Sequence, residues 1–331
     1  MTSIATPQTS LFTFDVPLPP REQTSLATTA MLRSLNISQW SGYRYDPDAS
    51  EEIAALHGAD KDAARVNKRL VPRKALEQIT KAVGKARSDH EFLTLPWTDD
   101  GWRVLPAAVY LEHRDKLQED ERAITTAVEN LIAGFEDLVR NQSRLGTLLK
   151  VEDYPGMRME GDQLRFLYPQ ELRDKFSFKI NVKPLPDAND FRVAISDSER
   201  ERLKRQIADS VQAALRAGTR DLWQRLYDVV SHMSTRMAEY NSAEDGNKPK
   251  LYKSMVGNIV EIVDVLPRLN LCGDVELDRM ADSVRRSLVV DTEELKESEA
   301  LRTDTAKAAA DIMQRMAAYM GLPASGPQVV S

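Results

Sequence analysis

The chain has one cysteine, Cys272, so no intramolecular disulfide can form and no cysteine-rich metal site exists. That fits a reducing compartment. Aromatic residues make up only 6% of the 331 positions, so any core must be largely aliphatic. A core of Leu, Val, Ile, Ala and Met suits helix bundles better than sandwiches or barrels. A basic excess is also missing. The net charge is −6, which is not the overall balance of a polyanion binder. No apolar run approaches the roughly 18 residues needed to span a bilayer. The first residues lack a basic start followed by an apolar stretch and carry Asp15 with Pro7, Pro17, Pro19 and Pro20, so a secretory leader is not expected. A cytoplasmic protein without membrane contact is expected, and the Asn36-Ile37-Ser38 sequon is then incidental.

Signatures of catalysis are equally scarce. None of His57, His90, His113 and His232 forms a His-x-x-x-His pair, the spacing that puts two ligands on one helix face. Gly84-Lys85 is followed by Ala86 and lacks the hydroxyl that would hold Mg²⁺ in a phosphate loop. Cys272 has no histidine near it in sequence and reads as a structural thiol. The nearest acidic cluster is Asp99-Asp100 with Asp89 and Glu91 upstream. Two carboxylates can hold a divalent cation, but Asp before Gly101 is also ordinary turn chemistry. No catalytic residue, metal site or cofactor is assigned, and an enzyme is not expected. A nuclease site assembled from Asp89, Asp99 and Asp100 is the alternative.

What the sequence does hold is 42% apolar and 29% charged residues, enough for a real core. Its first 24 residues, rich in Thr, Ser and Pro, read as a flexible arm. Residues 25–106 read as an α/β region. Alternation in MLRSLNISQWSGYRYD (31–46) predicts one strand with a bend allowed at Gly42. Residues 50–88 read as helix in two pieces broken near Pro72. FLTLPWTDDGWRVLP (92–106) reads as a hairpin about Asp100-Gly101, with Trp97 and Trp102 on its strands.

Two long helices follow. In 107–145, Ile124, Val128, Leu131, Phe135, Leu138 and Val139 recur at steps of three and four, with a bend expected at Gly134. In 197–241, the stripe runs from Leu203 through Ile207, Val211 and Leu226 to Met237, capped by Asp197 or Ser198. Between them, FSFKINVK (176–183) and FRVAIS (191–196) alternate as a strand pair. Packed antiparallel, the helices would form a coiled-coil stalk with residues 146–196 as its β tip. Residues 242–320 read as a helical C-terminal region, with Asp274 a cap and Met313, Met316 and Met320 on one face; 321–331 read as a flexible tail. The expected fold is mainly α with small β elements.

The charge reversal between His57 and Ser88 is the most informative local feature. Nine cations stand there (Lys61, Arg65, Lys68, Arg69, Arg73, Lys74, Lys81, Lys85 and Arg87) against Asp60, Asp62 and Glu77. Cations on phosphates supply sequence-independent nucleic-acid affinity. Trp40, Tyr43, Tyr45, Trp97 and Trp102 would stack on unpaired bases. The plainer alternative is a solvated face pairing with acids elsewhere in the chain or in a neighbouring subunit.

Four segments carry a resemblance: LNISQWSGYRYD (35–46), LPWTDDGWRVLPAAVYLEH (95–113), LRDKFSFKINVKPLPDANDFRVAI (172–195) and LPRLNLCGDVELDRMADSV (266–284). Together they resemble uncharacterised bacteriophage and prophage proteins related to a domain of unknown function in phages and plasmids. The resemblance implies a phage product acting in the host cytoplasm or packaged in the virion, and no catalytic residues. The expectation is a non-enzymatic, self-associating accessory of phage DNA metabolism, meeting nucleic acid through the basic segment. The alternative is a structural or adaptor protein of the virion or of a phage ATPase complex.

Overall fold

A computed structural model describes residues 26–97, 100–141, 149–187, 195–242 and 253–321. The arm at 1–24, Asp99, the loop after residue 242 and the tail from 322 lie outside the described residues. The fold is mainly helical with small antiparallel sheets. The chain divides into two compact units that alternate along the sequence. The described residues of Met1–Arg33, Leu93–Tyr110 and Lys183–Ser331 form a helical unit, and those of Ser34–Phe92 and Leu111–Val182 form a second unit.

In the helical unit, β4 (Leu95–Pro96) pairs with β5 (Arg103–Pro106) through Leu95↔Val104 and Pro96↔Arg103, so the expected hairpin forms. Its turn uses Gly101 at φ +84°, a conformation L side chains avoid. The start of β1 (Ala30–Ser38) pairs with β5 from Ala30↔Pro106 to Arg33↔Arg103. The rest of the unit is α6 (Asp197–Ser242), α7 (Lys253–Leu269), α8 (Val275–Leu288), α9 (Thr292–Glu297) and α10 (Glu299–Met320). The 46 residues of α6 give a rod of roughly 69 Å. Its start is capped by Ser196, whose Oγ accepts from Glu199 N at 3.4 Å, rather than by Asp197 or Ser198.

Leu222, Trp223, Leu226, Val230, Met233 and Met237 bury the second half of the α6 stripe. They pack chiefly with α10 and α7. The Met-rich face of α10 is therefore core, with Ile312, Met316 and Met320 almost fully buried. Trp223 stacks on Tyr319 at 4.6 Å between ring centres and donates from Nε1 to Asp274 Oδ2 at 3.0 Å. Asp274 Oδ1 accepts from Glu276 N and Leu277 N, the expected cap of α8. Pro267 lies inside α7. It sits in the last turn, where buried Leu266 and Leu269 hold the helix two residues further.

The second unit carries the remainder of β1 together with β2 (Tyr43–Asp46), α1 (Pro47–Leu56), β3 (Val66–Arg69), α2 (Arg73–Phe92), α3 (Tyr110–Ala133), α4 (Phe135–Arg140), β6 (Met157–Glu160), β7 (Gln163–Phe166), α5 (Pro169–Arg173) and most of β8 (Ser177–Pro184). The helix expected over 107–145 is divided at Gly134, as anticipated; residues 142–145 lie outside the described residues. Its stripe of Ile124, Val128, Leu131, Phe135 and Val139 packs with Ile79, Val83 and Ala86 of α2 and with Tyr154, Met157 and Leu172.

Two expectations are corrected. The stripe of α3 and the second half of the α6 stripe are each covered within their own unit, so antiparallel pairing of the two rods is not what buries them. The physical reason is that α2 offers α3 a complementary apolar face close in sequence. The strand expected over 176–183 forms as β8, one edge of which pairs with β1, where Asn181 Nδ2 donates to Ser34 Oγ at 3.2 Å; its expected partner at 191–196 lies largely outside the described residues. Residues 57–69 do not continue a helix. Gly58 at φ +62° follows the end of α1, and Val66–Arg69 forms a strand.

Candidate nucleic-acid interface

Strands β2 and β3 make a two-stranded antiparallel ribbon with register Tyr43↔Arg69, Arg44↔Lys68, Tyr45↔Asn67 and Asp46↔Val66. Successive strand residues point to opposite faces. Arg44, Asp46 and Lys68 therefore share one face, and Tyr43, Tyr45, Asn67 and Arg69 share the other.

The first face is closed by charge. Lys68 Nζ lies 2.8 Å from Asp153 Oδ2 and 3.3 Å from Asp46 Oδ2, and its side chain is 7% exposed. Arg44 Nε reaches Asp153 Oδ1 at 3.4 Å, and its guanidinium also donates to the Glu152 carbonyl. Asp46 in turn caps α1, accepting from Ala49 N at 3.1 Å. That backbone hydrogen bond is the main reason its carboxyl is held below the usual range, with Lys68 adding to it. Burial is the largest single influence on Lys68 and works against its charge. The hydrogen bonds and charges of Asp153 and Asp46 together outweigh it, and the ammonium is held above its ordinary range.

The second face is open and lined with flat groups. Tyr43 is 41% exposed and Tyr45 is 44% exposed. Arg69 lies over the Tyr43 ring at 4.3 Å and Arg65 over the Tyr45 ring at 5.2 Å. Helix α2 starts four residues after Arg69 with exposed Arg73 and Lys74 and has no acid in its first turn. A helix N-terminus is already positive, so cations there are disfavoured by the macrodipole. Two cations at this end, beside two stacked arginines, concentrate positive potential instead of neutralising it.

The remaining residues of the expected interface divide clearly. Lys61 pairs with Glu51 at 2.5 Å and Lys81 with Glu77 at 2.7 Å, both on the surface. Lys85 pairs with Asp89 at 2.6 Å and with buried Asp120 at 2.7 Å, and these two acids raise its affinity for the proton. Arg87 donates to the Ile37 carbonyl at 3.4 Å. Lys68 is withdrawn from the surface because two carboxylates on its face of the ribbon compensate its burial. Trp40 is half-buried, its ring edge-on to Phe135 at 5.8 Å. Trp97 and Trp102 belong to the helical unit, where Lys183 lies over the Trp102 ring at 3.9 Å. The structure thus groups Arg65 and Arg69 with the two tyrosines, and exposed Arg73 and Lys74 follow at the start of α2. The inner acids Asp46 and Asp153 were not foreseen, because their role depends on a contact distant in sequence.

Among the described residues, no cluster of three or more His, Cys, Asp or Glu side chains is arranged to hold a metal ion, and no helix is long and apolar enough to cross a membrane. Compared with protein-family models, with curated proteins and with solved structures, the chain matches none.

Proposed function

We propose that this protein binds single-stranded nucleic acid, without marked sequence preference, on the outer face of the β2–β3 ribbon. The observation that carries this reading is the pair of exposed tyrosines, each with an arginine over its ring. Aromatic and guanidinium planes stack on any base, and neighbouring cations follow the phosphates. Exposed rings of this kind stack on bases whose faces are open, which favours unpaired strands. The resemblance to phage and prophage proteins supplies the setting, an accessory of phage DNA metabolism.

The test is anisotropy of a labelled single-stranded 15-mer over a range of salt. Four cations at about −0.7 each give an expected slope of log affinity on log salt of roughly −3. Replacing Arg65, Arg69, Arg73 and Lys74 together by Glu should abolish binding while circular dichroism stays unchanged. Full affinity in that variant rejects the assignment.

A second reading is a protein-binding adaptor. It is favoured by exposed Met159, Leu167 and Tyr168 near the β6–β7 hairpin. The first half of the α6 stripe, Leu203, Ile207 and Val211, is only half-covered and suits self-association. Light scattering that returns a monomer mass at all concentrations would remove that part.

A further inference from the structure

Behind Tyr43 the second unit opens a cleft of about 980 Å³. That is near the upper end of the roughly 300–1,000 Å³ range of small-molecule sites. Trp40, Tyr43 and Tyr154 contribute its aromatic lining. Two of these rings are pinned by one core residue. Phe135 meets Trp40 at 5.8 Å and Tyr154 at 6.4 Å, both edge-on, and is itself fully buried. The walls are therefore set before anything enters, which lowers the cost of ordering them around a ligand.

The polar lining has a distinct character. Its cations are already matched to acids, Arg44 with Asp153 and Arg158 with Glu171 at 2.6 Å. Lys175, Glu152 and Asp174 also line the cleft, so the lining carries three cations and four carboxylates. Such a cleft does not attract a free phosphate. It presents donors and acceptors side by side around aromatic walls. An uncharged, planar ring with donors and acceptors on its edge fits that chemistry, and a nucleobase is such a ring. Tyr43 connects the two regions. Its ring lies under Arg69 on the ribbon and also lines the cleft. A strand stacked on Tyr43 passes the mouth, with its phosphates left outside on Arg69, Arg73 and Lys74.

We propose that the cleft receives one base unstacked from the strand bound on the ribbon, held against Trp40. This rests on the single-stranded nucleic-acid reading of the ribbon. Unstacking is least costly in a single strand, where no pairing is lost.

The test uses the full chain with a 15-mer carrying 5-iodouracil at alternate positions, irradiated and mapped by mass spectrometry. Adducts on Trp40, besides those on Tyr43 or Tyr45, are expected. Met159→Trp, which fills the cleft from an exposed position on β6, should remove the Trp40 adducts and keep those on the ribbon. Its affinity should fall about fivefold or more, the least effect expected from one lost stacked base. If the oligonucleotide binds but adducts stay on Tyr43 and Tyr45 alone, the cleft inference falls and the ribbon reading stands. If no oligonucleotide binds, the ribbon reading falls and the cleft inference with it.

Discussion

Arg69 and Tyr43 face each other directly across the β2–β3 ladder, with the guanidinium carbon 4.3 Å from the ring centre. Lys68, one residue earlier, points through the other side to Asp153 at 2.8 Å. Two neighbouring cations thus serve opposite purposes, one toward solvent and one in the interior, because a strand alternates its faces.

Removing the outward ring should weaken binding without unfolding the unit. Tyr43→Ala is expected to cost about 1–3 kcal/mol of affinity for a single-stranded oligonucleotide, the range for one lost base stack. Arg69→Lys keeps the charge and loses the planar stack. It should lower affinity severalfold while leaving the salt slope unchanged. An unchanged affinity together with an unchanged salt slope in that variant would show that Arg69 acts only through charge.

Removing the inward cation should do the reverse. Lys68→Met leaves Asp46 and Asp153 close together with no ammonium between them. Breaking a buried pair from one side costs about 3–5 kcal/mol. Urea titration should show that loss, whereas exposed Lys74→Met should stay within about 0.5 kcal/mol of the parent. Equal stabilities for the two variants would contradict the assignment of Lys68 to the interior.

Two acids of the same unit should respond to pH with opposite sign. Asp46 is held below its unfolded value by the Ala49 amide first and by Lys68. Its contribution is present above the unfolded pKa and is lost as pH falls through the folded one. Asp120 is raised, chiefly by burial, despite the hydrogen bond from Lys85. Between its unfolded and folded values the native state holds the extra proton, so ionised Asp120 costs stability at neutral pH. Asp120→Asn should therefore gain relative to the parent as pH rises from about 4 to 7, since the lost pair with exposed Lys85 contributes little. Thermal melts at both ends of that window check the sign, and a variant that loses ground toward pH 7 would refute it.

Gly156 should tolerate no side chain. It sits at φ +77°, and a Cβ there would meet the Tyr168 carbonyl oxygen at 2.2 Å. Its own carbonyl accepts from Leu167 N and Tyr168 N at 3.0 and 3.1 Å. Gly156→Ala is expected to cost at least about 1–3 kcal/mol. Gly161, at φ +60° with open space around it, should be less sensitive to the same change. Comparing the two melting temperatures separates the steric clash from the left-handed backbone alone.

The sequence alone determined what depends on near neighbours. The long rod of α6, the division at Gly134, the Asp100-Gly101 turn and the Asp274 cap are set by periodicity and by groups a few residues apart. The local basic excess was equally legible, as a count of charges. Only the tertiary structure decided which of those charges face outward. Strand β3 lies within a stretch whose local pattern favours helix, and it is held there by pairing with β2 and by the distant carboxylate of Asp153. The same holds for the cover of α3, to which α2 contributes, and for the pairing of one edge of β8 with β1. Apolar stripes and strand edges state that they must be covered. Which element covers them depends on contacts between residues far apart in the chain, and no local pattern encodes that choice.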